Sequence, residues 1–256
     1  MNSSPNASLS PSPKSTTSGL LDQTALSDLA QRLVEAAKRA GADSADAIAV
    51  RGVAQSIEVR DGKVEESERS EGDDVGLRVF VGKRQAVVST SDIGGDVARL
   101  AERAVAMARV APDDEYVGLA DPSLLAKQFP DLDLLDPQVP SVDELERRAL
   151  EAEAAALGVK GVSKSGGASA SAGIGGMVLV TSTGFHGSYL RSSQSISTVA
   201  IAGEGTGMER DYDFTSAIHG SDLESPASVG QRAGERTVAR LNPRKVATCN
   251  APAVFD

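Results

Sequence analysis

The residues best suited to chemistry lie between positions 181 and 214, in TSTGFHGSYLRSSQSISTVAIAGEGTGMERDYDF. This segment contains strand-like stretches rich in Gly, Ser and Thr, and it ends in the charged group Glu209, Arg210, Asp211 and Tyr212. An arginine between carboxylates can bind a peptide terminus or a charged loop of a partner protein. The same group can instead form an internal ion-pair network that braces a turn. The sequence leaves both interpretations open.

A polar strand precedes this charged group. Residues 187–198 carry Ser, Thr and Gln on both faces, so at least one face should lie against water or another chain. Strand edges of this kind accept extended peptides by β-augmentation. We therefore predict a binding surface that combines side chains of both segments: Ser192, Gln194, Thr198, Glu209, Arg210, Asp211 and Tyr212.

No catalytic or metal-binding residue is predicted in this chain. The glycine-rich residues 203–207 lack the Gly-Lys-Ser/Thr sequence and the following helix of a phosphate-binding loop. A zinc peptidase needs two histidines on one helix face, and neither His186 nor His219 has a second ligand at helical spacing. Cys249 is the only cysteine, and no base lies near it in the sequence.

The overall composition excludes several classes of protein. A net charge of −10 repels phosphate backbones, which argues against direct binding to nucleic acid. A single cysteine cannot form a disulfide framework, which fits a reducing compartment. No apolar run approaches the ~20 residues that a membrane helix requires, and the first residues lack the apolar region of a signal peptide. These features favour a cytoplasmic protein that does not bind membranes.

The first half of the chain alternates between helical and strand periodicity. Apolar residues spaced three and four apart predict helices over 24–40 and 96–110. Between them, alternation of apolar and polar residues predicts strands over 45–51, 55–60, 75–81 and 85–90. Asp61-Gly62 is the sequence of a two-residue hairpin turn.

The second half predicts a helix, a run of strands and a further helix. Ser141-Val142-Asp143-Glu144 matches a capping box, and an Ala- and Glu-rich helix should follow it to about residue 157. Glycine-punctuated β patterns predict strands over 159–165, 169–180, 187–201 and 206–213. A helix is expected over 228–241, and a new strand at residues 254–255.

These elements predict an α+β protein with an N-terminal α/β unit built on an antiparallel sheet, then a second β-rich unit with flanking helices. The predicted divisions are a disordered tail (1–22), an N-terminal α+β domain (23–111), a Pro-rich acidic linker (112–140), a central β-rich domain (141–246) and the start of a further domain (247–256). Because the last strand would stop at its second residue, we expect a truncated chain that lacks the C-terminal half of its fold. The alternative is a short edge strand.

Several segments resemble the TldD/PmbA family. They are VRDGKVEESERSEGDDVGLRVFVGKRQAVVSTSD (59–92), RAVAMARVAPDDEYVGLADP (103–122), the segment 181–214 and RAGERTVARLNPRKV (232–246). The resemblance follows family order and covers nearly everything after residue 22. It is closest to the PmbA side, also called TldE, particularly in GEGTGMERDYDF.

The resemblance implies a cytoplasmic subunit of a heterodimeric zinc metallopeptidase that degrades unfolded or small peptides, including antitoxin and leader peptides. The zinc-binding helix belongs to the TldD-like catalytic subunit, so no cofactor is expected on this chain and zinc is expected in the partner. The implied role here is to bind that partner and present extended peptides. The alternative is a non-enzymatic regulator that binds another protein, of the DNA gyrase modulator type.

Overall fold

A computed structural model of the chain describes residues 22–255. The predicted disordered tail falls almost entirely on residues 1–21, outside the described part. The helices of residues 22–255 are α1 (Thr24–Arg39), α2 (Val97–Val110), α3 (Val142–Leu157) and α4 (Pro226–Ala239). The strands are β1 (Ser44–Arg60), β2 (Lys63–Val81), β3 (Arg84–Thr90), β4 (Val162–Thr181), β5 (His186–Ala202) and β6 (Glu209–Ala217).

Three of the four helices of residues 22–255 have a side-chain cap at their first turn. The Asp96 side chain accepts hydrogen bonds from two backbone N–H groups of the first turn of α2. Ser141 Oγ accepts one from the Glu144 N–H at 3.2 Å, so half of the predicted capping box is present at the start of α3, while the Glu144 side chain binds Arg147 and Arg148. Ser225 caps α4, and Pro226 occupies its first turn, where no N–H is needed. All four predicted helices are confirmed.

The strands follow the order β3-β2-β1-β4-β5-β6, which confirms the predicted α+β class. Asp61 and Gly62 join β1 to β2, and both have positive φ, 51° and 73°, as a type I′ hairpin requires. Strand β3 pairs antiparallel with residues 75–81 of β2 only. Strand β6 pairs antiparallel with β5, from Gln194↔Ala217 to Ala202↔Glu209.

Several strand predictions were too short. Residues 45–51 and 55–60 belong to the single strand β1, and 159–165 and 169–180 belong largely to β4. Gly167 interrupts the alternation with φ +102°, yet the strand continues through it. The sequence predicts a strand only from residue 75, but β2 starts at Lys63. Its first half is exposed and polar, and it is a strand because the hairpin turn pairs it with β1.

The predicted strand at residues 254–255 is wrong. Val254 and Phe255 are exposed and belong to no strand. A strand forms only where a neighbour satisfies its backbone groups, and none of the six strands of residues 22–255 pairs with this segment.

The chain divides into two compact units. Among the described residues, the first comprises 22–51, 73–125 and 176–189, and the second comprises 52–72, 126–175 and 190–255. Each predicted domain is one continuous stretch of sequence. Each observed unit is instead built of three separate segments, since the long strands contribute residues to both units. The predicted domain boundaries therefore stay a prediction.

The first unit has an aliphatic core. Leu26, Leu29 and Leu33 form the buried stripe of α1, as the spacing of apolar residues predicts. They belong to the same buried cluster as Val75, Leu77 and Val79 of β2, Ala101, Ala104 and Val105 of α2, and Val178 and Val180 of β4.

The second unit is held by close packing of small residues. Helices α3 and α4 approach so closely at Gly230 that a Cβ atom there would lie 2.1 Å from the Ala152 carbonyl oxygen. The core beneath α3 includes Leu145, Ala149, Ile57 and Ile196.

A buried glutamate anchors the β1–β2 hairpin to α3 within the second unit. Glu153 is 2% exposed, and its carboxylate accepts hydrogen bonds from the Asp61 N–H at 2.9 Å and the Gly62 N–H at 2.8 Å. The hydroxyl of Ser165 donates to the same carboxylate. Two hydrogen bonds therefore hold the turn against α3, and the Ser165 hydroxyl orients the carboxylate that makes them.

None of the helices formed by residues 22–255 combines the length and the apolar character needed to cross a bilayer.

Candidate binding site on strand β6

Successive side chains of β6 point to opposite faces of the sheet, and this alternation divides the charged residues 209–213 into two sets. Its odd-numbered residues point toward α4, where Arg232, Arg236 and Arg240 recur every fourth position and so share one helix face. Asp213, only 5% exposed, accepts hydrogen bonds from Arg232 Nε at 2.7 Å and Arg236 Nη1 at 3.0 Å. This half of the group forms an internal ion-pair network.

Asp211 belongs to the same network through Arg240. Burial acts to raise the pKa of the Asp211 carboxyl, but hydrogen bonds from Arg240 and from the Tyr212 N–H outweigh burial and lower that pKa below its usual value. Asp211 is therefore held as a carboxylate, and it serves structure rather than an incoming ligand.

The even-numbered residues of β6 face the other way. Arg210 is exposed, and within residues 22–255 its side chain makes no hydrogen bond or ion pair. Tyr212 and Phe214 are 57% and 58% exposed, and their rings stack with centroids 6.4 Å apart. An unpaired guanidinium beside two exposed aromatic rings is the composition of a protein-binding hot spot.

A row of hydroxyl groups extends this face across the second unit. Phe214 lies opposite Ser197 of β5, and opposed residues of an antiparallel pair share a face. Ser197 Oγ lies 2.9 Å from Ser169 Oγ of β4, and Ser195 and Ser171 form the next such pair, also at 2.9 Å. The face beside the aromatic rings is therefore polar and built of small side chains.

The edge of β6 is the second component of the site. Strand β6 is last in the strand order, so among the six strands of residues 22–255 none pairs with its outer edge. The Asp211 N–H donates to Thr237 Oγ1 of α4 at 3.1 Å, and the same hydroxyl lies 3.3 Å from the Ala200 carbonyl oxygen of β5, so α4 packs on the face of these two strands. An edge strand with exposed aromatic residues fits the addition of an extended peptide.

Two other predicted binding residues, Ser192 and Gln194, are buried. Both are 3% exposed, and both bind Asp136 of the irregular segment between α2 and α3. The Asp136 N–H donates to Ser192 Oγ at 2.7 Å, and Gln194 Nε2 donates to Asp136 Oδ2 at 3.0 Å. Gln194 Oε1 also accepts a hydrogen bond from Arg148 Nη1 at 2.9 Å.

Thr198 is also enclosed, being 1% exposed, and its hydroxyl donates to the Gly167 carbonyl at 3.3 Å. The structure therefore groups Glu209, Arg210, Asp211 and Tyr212 on one strand and places Ser192, Gln194 and Thr198 on the inner face of the neighbouring strand. Sequence reasoning missed Phe214, although its position two residues after Tyr212 on an alternating strand was the available signal.

Asp136 makes the buried polar junction sensitive to acid. Hydrogen bonds from the Gly220 and Gln138 N–H groups lower the pKa of its carboxyl below the usual value. Because the folded pKa is depressed, the stabilisation is complete above about pH 5 and is lost as the pH falls through the folded pKa. We expect Asp136→Asn to lower the free energy of unfolding by about 2 kcal/mol at pH 7 and by much less below pH ~3. Urea unfolding across this range measures the difference.

The matched control is Asp28→Asn on the exposed surface of α1. Its effect on the free energy of unfolding should be small at every pH. A gap between wild type and Asp136→Asn that stays constant from neutral to acidic pH would contradict the role assigned to the Asp136 carboxylate.

Two family descriptions match the sequence and together cover about two thirds of it. The PmbA/TldA metallopeptidase domain 1 matches residues 45–108, and the PmbA/TldA metallopeptidase central domain matches residues 135–241. The chain belongs to the PmbA/TldD metallopeptidase family. The expected resemblance is thereby confirmed.

Relatives of known name agree with this assignment. Metalloprotease PmbA of Escherichia coli O157:H7 is 37% identical over 202 residues, which cover 78% of this chain and 45% of that protein. A PmbA homolog of Haemophilus influenzae is 35% identical over 224 residues, covering 87% and 49%. The chain thus spans about half the length of the curated relatives it matches.

A solved structure supports the fold. A Bacteroides thetaiotaomicron protein described as a modulator of DNA gyrase superposes with a TM-score of 0.79 at 26% identity. The match covers 86% of this chain and 51% of that one.

The residues described here do not fit the metal that the family name implies. A catalytic zinc ion needs three protein ligands, and residues 22–255 contain no group of three His, Cys, Asp or Glu side chains that could hold one. His186 Nε2 lies 2.7 Å from Ser27 Oγ in the first unit. His219 Nε2 lies 2.9 Å from the Asp133 carbonyl in the second. Both histidines are engaged in hydrogen bonds to the protein.

Proposed function

We propose that this chain is a non-catalytic part of a peptidase complex, binding a TldD-like catalytic subunit and presenting extended peptides to it. The observation that carries this proposal is the divided face of β6. Asp211 and Asp213 are fixed by the arginines of α4, whereas Arg210, Tyr212 and Phe214 face outward.

The outward face offers the interactions that an extended peptide needs. The free edge provides backbone hydrogen bonds that do not depend on sequence, which suits a substrate defined by being unfolded. Tyr212 and Phe214 provide apolar contact, and Arg210 provides a cation for a peptide carboxylate. Zinc and the hydrolytic step would come from the partner subunit.

Peptide hydrolysis on an unfolded substrate tests this proposal. We expect more hydrolysis from this chain mixed with a TldD-like subunit than from that subunit alone, and we expect a chelator to abolish it. The chain alone should be inactive. Arg210→Ala should reduce the affinity for partner or peptide about tenfold, because one charge-assisted contact is lost.

Arg244→Ala is the matched control, since Arg244 is also an exposed arginine of the second unit but lies beyond α4. It should bind as the unchanged chain does. Equal affinities for all three chains, or unfolding of Arg210→Ala, would overturn the role of β6. A mixture no more active than the TldD-like subunit alone would overturn the subunit role.

A second candidate function is the binding of DNA gyrase without catalysis. It is favoured by the description of the Bacteroides protein as a gyrase modulator. The two functions differ in their need for metal. A regulator would alter gyrase supercoiling without a TldD-like subunit and in the presence of a zinc-selective chelator that leaves the Mg²⁺ of the gyrase reaction in place, whereas a peptidase subunit would not.

A further inference from the structure

The first half of β2 is an unpaired strand edge. Strand β3 covers only residues 75–81 of β2, and β1 lies on the opposite side. Residues 63–72 are exposed at all ten positions, on both faces of the strand. Natural proteins shorten, bend or charge such edges, or block them with proline, because the edges otherwise recruit other strands. The sequence KVEESERSEG contains no proline but six charged residues, which exclude apolar strands and select partners by charge.

The hairpin turn determines which backbone groups face outward. In a two-residue type I′ hairpin, the residues flanking the turn, Arg60 and Lys63, exchange hydrogen bonds, so the N–H and C=O groups of the next residue, Val64, point away from β1. The ion pairs Arg51–Asp73 and Arg78–Asp46 show a register shifted by one residue further along, so a bulge in β2 reverses the alternation before residue 73. Because Glu153 accepts hydrogen bonds from the turn residues Asp61 and Gly62, the start of this edge is already ordered before a partner binds.

The side chains along the edge determine what can bind there. Residues 63–72 carry four glutamates against one lysine and one arginine. Glu65 pairs with Arg60 and Glu71 with Arg69. Glu66 and Glu68 make no ion pair within residues 22–255, and as alternate residues they share one face about 7 Å apart.

We propose that residues 63–72 form a docking edge for an extended, basic segment of a partner protein, which adds to the sheet as a strand beside β2. Lysines or arginines at alternate positions of that segment lie opposite Glu66 and Glu68, while its backbone pairs with the unpaired backbone groups of this edge. A second copy of the same edge fits poorly, because both strands carry a net negative charge. Other acidic strands are disfavoured for the same reason, and a neutral strand lacks the attraction to the glutamates.

A labelled peptide of alternating lysine and threonine, matched to the edge in length, tests the proposal by fluorescence anisotropy with the full chain. We expect saturable binding that Val64→Pro weakens at least about fivefold, because proline removes one outward N–H and leaves the bonds to β1 intact. Val64→Ala keeps that N–H and should bind more nearly as the unchanged chain does. The corresponding glutamate–threonine peptide should not bind.

The same lysine–threonine peptide methylated at every backbone nitrogen separates strand addition from simple charge attraction. It keeps all the cations but has no backbone N–H to donate, so the loss of affinity should be at least as large as the loss that Val64→Pro causes for the unmethylated peptide. Equal binding of both peptides, or no binding of either, overturns the proposal. If circular dichroism shows that Val64→Pro does not fold, the methylated peptide with the unchanged chain decides the question.

Discussion

Replacing Glu153 by alanine is expected to lower the free energy of unfolding by about 4 kcal/mol, since hydrogen bonds to a charged group contribute roughly 1.5–3 kcal/mol each. The Asp61 and Gly62 N–H groups and the Ser165 hydroxyl all donate to this one carboxylate. Alanine removes all three interactions and leaves a space beside the turn. Urea denaturation at neutral pH, followed by circular dichroism, measures the loss.

Two variants show whether the effect belongs to the carboxylate. Glu153→Gln keeps one acceptor oxygen and nearly the same volume, so its effect should lie between those of wild type and Glu153→Ala. Glu151→Ala removes a more exposed carboxylate of the same helix, one that pairs with Arg147 at the surface. Its effect should be about 0.5 kcal/mol. Similar losses for Glu151→Ala and Glu153→Ala would show that helix composition, not the hairpin anchor, controls stability.

Gly230→Ala should destabilise the chain by about 3 kcal/mol, although alanine favours helices by about 1 kcal/mol over glycine. The added Cβ would lie 2.1 Å from the Ala152 carbonyl oxygen and 2.8 Å from Ala155 Cβ. Both atoms belong to the facing helix and cannot rotate away, so α3 and α4 must separate. Thermal and urea unfolding both report this loss.

Gly72→Ala is the matched control, because a Cβ there meets no atom within 4 Å and its φ is not in the left-handed region. The substitution restricts the unfolded chain in the same way, so any difference between the two variants comes from the folded state. Gly72→Ala should be neutral or slightly stabilising. A Gly230→Ala chain as stable as wild type would mean that the helices are packed less closely than described.

The elements defined by local chemistry were predictable from the sequence. The Asp61-Gly62 turn and the Ser141 cap are determined by a few adjacent residues, and both are where the sequence places them. The internal ion pairs of β6 could also have been predicted, since its acidic residues lie at odd positions and α4 carries arginines every fourth residue. The internal and the binding interpretation stayed open because periodicity alone does not show that this strand packs against that helix.

Features that depend on distant partners were not predictable. Glu153 lies in an Ala- and Glu-rich helix, where a glutamate is ordinarily exposed, and only the position of the hairpin turn explains its burial. Ser192 and Gln194 have the composition of a solvated strand, but an irregular segment far away in the sequence covers them through Asp136. The polar half of β2 lacks a buried face, so periodicity gave no signal for it.

The alternation of the two units along the chain has a consequence for synthesis on the ribosome. The core of the first unit needs Val178 and Val180, which are made long after α1 and α2. At roughly 5–20 residues per second, several seconds pass between the end of α2 and the arrival of these valines. During that interval β1, β2 and β3 can already cover α1 and α2, but the part of the core that Val178 and Val180 complete stays open to water. The first unit therefore reaches its full stability only after β4 has left the ribosome.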